Sequence, residues 1–200
     1  MAPFPRTVVG GLSLSRMIIG TNWFLGFSHS TPSKDEFICT QVRERKAIAD
    51  IIEVFLRAGV DTLMGLIAME PLADAIKEAE DRTGVRVIRV STPTFPIGKE
   101  TPSAGFDRSA VETILDEQTR HGVDICMPHT STTDCLVDRC TRTIRHIEDL
   151  VGPIRERGMI PGLSTHMPET LVYADETGID IETYVSLYNS MGFLMQIEVD

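Results

Sequence analysis

The sequence predicts an α/β protein built on a parallel (β/α) barrel of TIM type, with about six of the eight β/α units present. Two observations lead to this prediction. Short apolar runs alternate six times with longer stretches whose apolar residues recur every three or four positions, as in amphipathic helices. Five of the helical stretches end in a glycine just before the next apolar run; these are Gly59, Gly84, Gly122, Gly158 and Gly178.

Each predicted helix is bounded by residues that favour helix ends. Ser33 or Asp35 begins the first helix, and Asp107 caps the third. Pro153 falls inside the fourth and predicts a kink or a break there. In chain order, the predicted helices cover residues 33–58, 72–82, 108–121, 140–157 and 168–176.

The predicted strands are mostly continuous apolar runs rather than alternating ones, which is typical of strands covered on both sides. The helical stretch between each pair predicts parallel pairing, because parallel neighbours need a crossover connection. In chain order, the strands cover residues 16–21, 62–66, 85–91, 123–128, 159–164 and 181–188.

Polar and aromatic side chains follow one strand after another, which favours a barrel over the alternative, an open doubly wound sheet. Catalytic residues of a barrel come from the ends of several strands, whereas the glycine-rich phosphate turn of dinucleotide-binding open sheets is absent from the sequence. The residues at strand ends are Asn22 and Trp23, Ser91 and Thr92, His129, residues 164–166, and Tyr188 and Asn189.

The chain is shorter than a complete barrel, which takes about 250 residues. We therefore expect residues 1–200 to form a single (β/α)-barrel domain that is incomplete at its C-terminus. Either the chain is part of a longer product, or a partner closes a six-unit barrel. Exposed strand edges would then favour self-association.

The composition narrows the classes of partner. The net charge is −10, from 19 Lys+Arg against 29 Asp+Glu, and there is no basic run, so nucleic acid is not expected. No apolar run approaches the roughly 18 residues of a bilayer span, so no membrane partner is expected. The four cysteines form no CxxC pair and provide no metal set, which favours reduced thiols and a cytoplasmic location. A small-molecule substrate is the expected partner.

Three segments resemble the aldo-keto reductase superfamily in order and spacing. Residues 123–129, Val-Asp-Ile-Cys-Met-Pro-His, resemble the fourth strand of that family, which ends on a catalytic histidine. Residues 161–171 resemble its fifth-strand segment, of the form Gly-x-Ser-Asn followed by Pro-Glu-x-Leu. Residues 187–189, Leu-Tyr-Asn, resemble the end of its sixth strand.

The resemblance implies that His129 is catalytic and makes NADP the candidate cofactor, with Ser164, Thr165 and Asn189 as its candidate contacts. Thr165 stands where the family has an asparagine, and Val185 stands about where it has a glutamine, so tight NADPH binding is not expected. The other three catalytic residues of the family, Asp, Tyr and Lys, are replaced. Met64 stands for the aspartate, a position near Met69 for the tyrosine and a position near Ser91 for the lysine.

Other strand ends and loops supply candidate substrate-binding residues: Asn22, Trp23, His29, His166 and Tyr188. Trp23 offers an apolar wall, and the long loop after the first strand is typical of a binding loop on a rigid scaffold. A separate expectation concerns Arg89, which would need a carboxylate partner if it pointed into the barrel; Glu182 and Asp61 are the candidates.

Three functional hypotheses remain open. The first is an enzyme related to aldo-keto reductases that acts on a small carbonyl or hydroxy compound through His129. The second is a cofactor-independent or metal-assisted barrel enzyme, a lyase, isomerase or hydrolase, that uses His129, His166 and His29. The third is a catalytically degenerate barrel that binds a ligand.

Overall fold

The computed structural model describes residues 4–192 and Met195. They fall into two compact units. The first contains residues 4–91 together with His121–Val123, and the second contains Thr92–Arg120 together with the described residues from Asp124 onwards. The expectation of a single domain over residues 1–200, incomplete at its C-terminus, stays a prediction.

The first unit begins with an antiparallel hairpin and continues as alternating strands and helices. The hairpin strands turn at Gly10 and Gly11, which both have positive φ angles. The elements are β1 (Arg6–Val9), β2 (Leu12–Ser15), β3 (Ile18–Gly20), α1 (Pro32–Val42), α2 (Arg45–Arg57), β4 (Thr62–Gly65), α3 (Leu72–Thr83) and β5 (Ile88–Ser91).

Strands β3, β4 and β5 pair in parallel and in chain order, with Ile18 opposite Thr62 and Thr62 opposite Ile88. Helices α2 and α3 pack against each other. Their buried apolar faces follow from the three- and four-residue spacing in the sequence. The buried residues of the two helices are Ile48, Ala49, Ile52, Leu56, Leu72, Ala75, Ile76 and Ala79.

The second unit repeats the alternation with shorter inserted elements. The major elements are α5 (Arg108–Arg120), β6 (Ile125–Cys126), α7 (Glu148–Glu156), β9 (Ile160–Thr165), α8 (Pro168–Thr177) and β10 (Thr183–Ser186). The inserted ones are α4 (Thr101–Ala104), α6 (Thr130–Thr133) with a 3-10 turn at Asp134–Leu136, and the hairpin β7 (Val137–Asp138) and β8 (Thr143–Ile144).

Strands β6, β9 and β10 are also parallel and follow chain order. Ile125 lies opposite Ile160, and Thr183 lies opposite Gly162. Helix α7 contacts both α5 and β9, and its buried residues Leu150 and Ile154 belong to the core. The fold class predicted from the sequence is therefore confirmed: the chain is an α/β protein of TIM-barrel type with six parallel strands.

The glycines that follow the helices have the predicted backbone conformation. All five have positive φ angles, between 63° and 83°. A left-handed residue closes the last helical turn, and glycine adopts this conformation without steric cost. The glycine pattern thus located the helix ends correctly.

The predicted helix over residues 33–58 is wrong as a single element, because it is interrupted between α1 and α2. Arg43 caps the end of α1, and Glu44 has the extended φ and ψ of −70° and 136° before α2 begins. Residues 43–46 are all charged and offer no apolar side chain to hold a continuous helix against the core.

The predicted helix over residues 140–157 is also wrong in its first half, where the β7–β8 hairpin lies instead. Asp138 accepts backbone hydrogen bonds from Cys140 and Thr141 at 2.9 and 3.2 Å, which favours a turn over a helix. Arg142 in this turn has a positive φ angle of 55°. Pro153 lies inside α7, which continues past it to Glu156.

Arg89 in β5 has a different partner from those expected. Its guanidinium donates to Oε2 of Glu80 in α3 at 2.6 Å, and Glu80 also accepts from the Val87 amide at 2.7 Å. The expected partners, Asp61 and Glu182, pair with other arginines. Arg89 therefore ties its strand to the covering helix.

Several large apolar side chains are exposed in the described part of the chain, among them Val8, Met17, Ile18, Phe37 and Val54. Self-association through strand edges stays a prediction. None of the helices between residues 4 and 192 has both the length and the apolar character that crossing a bilayer requires.

We expect Arg89→Met to lower the free energy of unfolding by about 1–3 kcal/mol, because it leaves a carboxylate without its charged hydrogen-bond donor. The side chains of Arg89 and Glu80 are only 16% and 20% exposed, so water replaces the lost partner poorly. Urea unfolding measures the change. Arg108→Met is the matched control, because the Arg108–Glu112 pair is 86% and 46% exposed and should leave the urea midpoint unchanged. Equal effects of the two substitutions would contradict this assignment.

Cys126 should resist alkylation in the folded protein. It is completely buried, and burial raises the pKa of its thiol to about 12, so almost no reactive thiolate exists at neutral pH. Iodoacetamide labelling followed by peptide mass mapping should modify the exposed Cys140 first and Cys126 only after denaturation. Rapid labelling of Cys126 under native conditions would show that β6 is not buried.

Candidate functional site

The ends of the parallel strands in the second unit bring several predicted residues to one edge of its sheet. The Ser164 amide donates to the Pro128 carbonyl at 3.3 Å, which continues the β6–β9 ladder beyond Cys126. The His129 amide donates to the Pro93 carbonyl at 2.9 Å. His129, which follows β6, and Ser164, near the C-terminal end of β9, therefore lie at the same edge of the sheet, where catalytic residues of β/α barrels lie.

The His129 ring is held by Ser131. The Ser131 amide donates to Nδ1 at 3.2 Å, and the Ser131 hydroxyl lies 2.8 Å from the same nitrogen. An imidazole nitrogen that accepts a hydrogen bond carries no proton, so the proton of the neutral ring is on Nε2. The ring thus caps the short helix α6 with one nitrogen and carries its hydrogen-bond donor on the other.

The hydroxyl residues after His129 fix the backbone around it. Thr132 Oγ1 accepts from the Phe95 amide at 2.9 Å and donates to the Phe95 carbonyl at 3.0 Å. Thr133 Oγ1 donates to the Pro128 carbonyl at 3.1 Å. Both threonines are fully buried, so these contacts hold the strand end rather than face a ligand.

Asp134 is a buried carboxylate that the sequence analysis missed. It is 7% exposed and accepts hydrogen bonds from the Thr130 hydroxyl at 2.6 Å, the His166 amide at 2.9 Å and the Thr165 hydroxyl. The Thr165 hydroxyl also accepts from the Met167 amide at 2.9 Å. An aspartate within a run of polar residues carries no sequence signal of burial, because two of its three partners come from the end of another strand.

The remaining candidates of the second unit differ in environment. His166 is half-buried, and its Nδ1 is buried without a hydrogen-bond partner among the described residues. Ser164 is 8% exposed, whereas Tyr188 is 96% exposed. Asn189 Oδ1 accepts from the Met191 amide at 3.1 Å, within a turn.

The candidates of the first unit gather in the segment after β3. Asn22 Nδ2 lies 2.8 Å from His29 Nε2, and His29 has a positive φ angle of 53°, which is uncommon for a residue other than glycine. Trp23 is half exposed, and the Lys34 ammonium lies 5.2 Å from the centre of its ring. The structure therefore brings together Asn22 and His29, as well as Trp23 and Lys34.

The residues that the resemblance aligns with the family's aspartate, tyrosine and lysine lie in the first unit. Met64 is in β4, and Ser91 ends β5. Asp61 precedes β4 and receives hydrogen bonds from the Ser15 amide at 3.3 Å and from Thr62 Oγ1 at 3.4 Å. Asp61 therefore belongs to the opposite end of the strand and anchors the N-terminal hairpin. No group of three or more metal-ligating side chains is found among residues 4–192 and 195.

No family model and no curated protein matches the chain, but solved structures do. An aldo/keto reductase from Brucella melitensis has a TM-score of 0.54 and 11% identity, covering 92% of this chain and 63% of that chain. A protein from Pseudomonas aeruginosa described as an aldo-keto reductase has a TM-score of 0.52 and 10% identity, covering 93% and 80%. The structural likeness to aldo-keto reductases is thus confirmed at the level of the fold.

A second group of similar structures comes from another kind of enzyme. The carboxyl transferase domain of pyruvate carboxylase from Rhizobium etli, solved with 3-hydroxypyruvate, has a TM-score of 0.51 and 11% identity, covering 86% of this chain and 33% of that chain. The chain spans less than two thirds of the Brucella protein and of this domain. Because one fold hosts many functions, the likeness defines the architecture and leaves the chemistry to the site.

The His129 ring should exist as the Nε2–H tautomer. Long-range ¹H–¹⁵N spectra of the histidine rings distinguish a protonated from an unprotonated Nδ1. Ser131→Ala should keep the same tautomer, because the backbone amide still donates to Nδ1 after the hydroxyl is removed. A protonated Nδ1 in the native protein near neutral pH would contradict the hydrogen-bond assignment.

Proposed function

We propose that the chain is an enzyme related to aldo-keto reductases that acts on a small carbonyl or hydroxy compound, with His129 directed at the reacting oxygen. One observation carries the proposal: the Ser131 amide donates to Nδ1 of His129, so the hydrogen of the neutral ring is carried by Nε2. A carbonyl oxygen that gains negative charge is stabilised by such a donor. The structural likeness to aldo-keto reductases supports this class of reaction.

The neighbouring strand end supports the same use of the site. Ser164 lies near the C-terminal end of β9, next to His129, and His166 directly follows the strand. We infer that these residues and Tyr188 contact the substrate in the second unit. The substrate-binding roles of Asn22, Trp23 and His29 stay predictions, as does the cytoplasmic location.

The residues that the resemblance assigns to NADP do not fit that role as a set. The Thr165 hydroxyl is 1% exposed and already binds Asp134 and the Met167 amide. The Asn189 side-chain oxygen accepts a hydrogen bond from the Met191 amide. Of the three side chains, only that of Ser164 takes part in none of the hydrogen bonds described above. NADPH binding is therefore measured directly, by titrating NADPH fluorescence with the protein, before carbonyl reduction is assayed.

The second candidate function is a barrel that binds a carbonyl compound without reducing it. What favours it is that the resemblance aligns the acid–base residues with Met64 and with positions near Met69 and Ser91, since methionine cannot donate a proton and a serine hydroxyl does so poorly near neutral pH. In this case His129 would still donate a hydrogen bond to the bound oxygen.

We expect His129→Gln to lower kcat/KM for carbonyl reduction by about 100-fold or more, because the oxygen-directed donor is displaced. The assay follows NADPH consumption with small aldehydes, ketones and 2-oxo acids. Loss of the cap on α6 costs about 1 kcal/mol, so the Tm should fall by only about 2–4 °C.

His121→Gln is the control, because His121 lies after α5 and away from the strand ends. Ligand-observed NMR with the same carbonyl compounds separates the two candidate functions. Binding that depends on His129 without turnover supports the second function, whereas equal activity in both variants would contradict the role of His129. If the protein neither binds nor turns over any of these compounds, both candidate functions are overturned.

A further inference from the structure

We infer that Asp134 is a positioning residue that aligns His129 and His166 at the strand-end edge of the second unit. This inference rests on the proposed function, since it concerns the same site. The carboxylate contacts the residue after His129 and the backbone of His166 itself: its Oδ2 accepts from the Thr130 hydroxyl at 2.6 Å and from the His166 amide at 2.9 Å. It therefore connects the residue after His129 to the backbone of His166.

The second oxygen of the carboxylate fixes the end of β9. Oδ1 accepts from the Thr165 hydroxyl, whose oxygen accepts from the Met167 amide at 2.9 Å and lies 2.9 Å from the Thr170 hydroxyl. The network therefore reaches from α6 to the first turn of α8. Every donor to Asp134 in these contacts is neutral, namely two hydroxyls and one amide.

A buried carboxylate is costly unless its lone pairs are satisfied, so its position is tightly specified by its donors. Asp134 is 7% exposed, and the geometry of its three donors fixes where Thr130 and His166 lie relative to each other. An apolar side chain at position 134 could fill the space but could not fix the relative positions of Thr130 and His166. The edge carrying the two histidines is therefore held by directional contacts rather than by packing.

Position matters here because a histidine that must reach a substrate oxygen tolerates little displacement. A misplacement of about 1 Å can cost about 100-fold in rate. Loss of the Asp134 network would move His166 through its own amide and His129 through its neighbour Thr130. Both effects follow from contacts that are already present in the protein without a substrate.

The primary test is Asp134→Asn, because the amide keeps the shape of the side chain but turns one acceptor into a donor. The histidine ring signals of His129 and His166 in long-range ¹H–¹⁵N spectra should both shift. The matched control is Asp138→Asn, because Asp138 accepts only from the hairpin residues Cys140, Thr141 and Arg145 in the contacts described. The control should lower the Tm without moving either ring signal.

Two further substitutions keep the test decisive if Asp134→Asn does not fold. Thr165→Val removes the donor on the His166 side, and Thr130→Val removes the donor on the His129 side. Each should shift mainly the nearer histidine, whereas Thr165→Ser keeps a hydroxyl and should restore the native spectrum.

Where turnover is found, Asp134→Asn should lower kcat/KM by about 10- to 100-fold, while Asp138→Asn should leave it within about twofold. The ring spectra need no substrate, so they separate failure of this inference from failure of the proposed function. Unchanged ring signals in the Asp134 and threonine variants, with a Tm loss like that of Asp138→Asn, would show that the network is only structural and would overturn the inference.

Discussion

Parallel pairing of the strands is the constraint on which the candidate site depends. Between two parallel strands, the chain must return to the end of the sheet at which the first strand began. Helices that end at glycines form these connections in both units. As a consequence, the residues after successive strands of a unit reach the same edge. This is why His129 and Ser164, which are 35 positions apart, become neighbours through the ladder between residues 128 and 164.

Hydrogen bonds between polar groups hold the strand ends of the second unit in place, and the packing of its apolar core does not account for this arrangement. Thr132 binds both backbone groups of Phe95, and Asp134 collects donors from two chain segments. Hydrogen bonds of this kind contribute little net stability, but leaving one unmade in the interior is costly. They therefore specify one arrangement of the strand ends, whereas packing alone would allow several.

The fold of the chain is similar to that of aldo-keto reductases. The resemblance aligns most of the family's reactive groups with different side chains in this sequence. The histidine expected from the resemblance is present, and its ring is oriented by Ser131. The resemblance in sequence aligns Met64 with the family's aspartate, and positions near Met69 and Ser91 with its tyrosine and lysine. A fold can keep its strands and helices while its chemistry changes, because packing depends on the apolar faces and reactivity on a few side chains at the edge.

The sequence by itself determined the fold class, the order of the main strands and the helix ends, because these depend on local apolar spacing and on glycines such as Gly84 and Gly178. It also contains the Gly10–Gly11 pair, whose positive φ angles form the turn of the first hairpin. The tertiary structure alone decided the partner of Arg89 and the burial of Asp134. Each of these depends on groups from separate segments, and local periodicity contains no information about which segments meet.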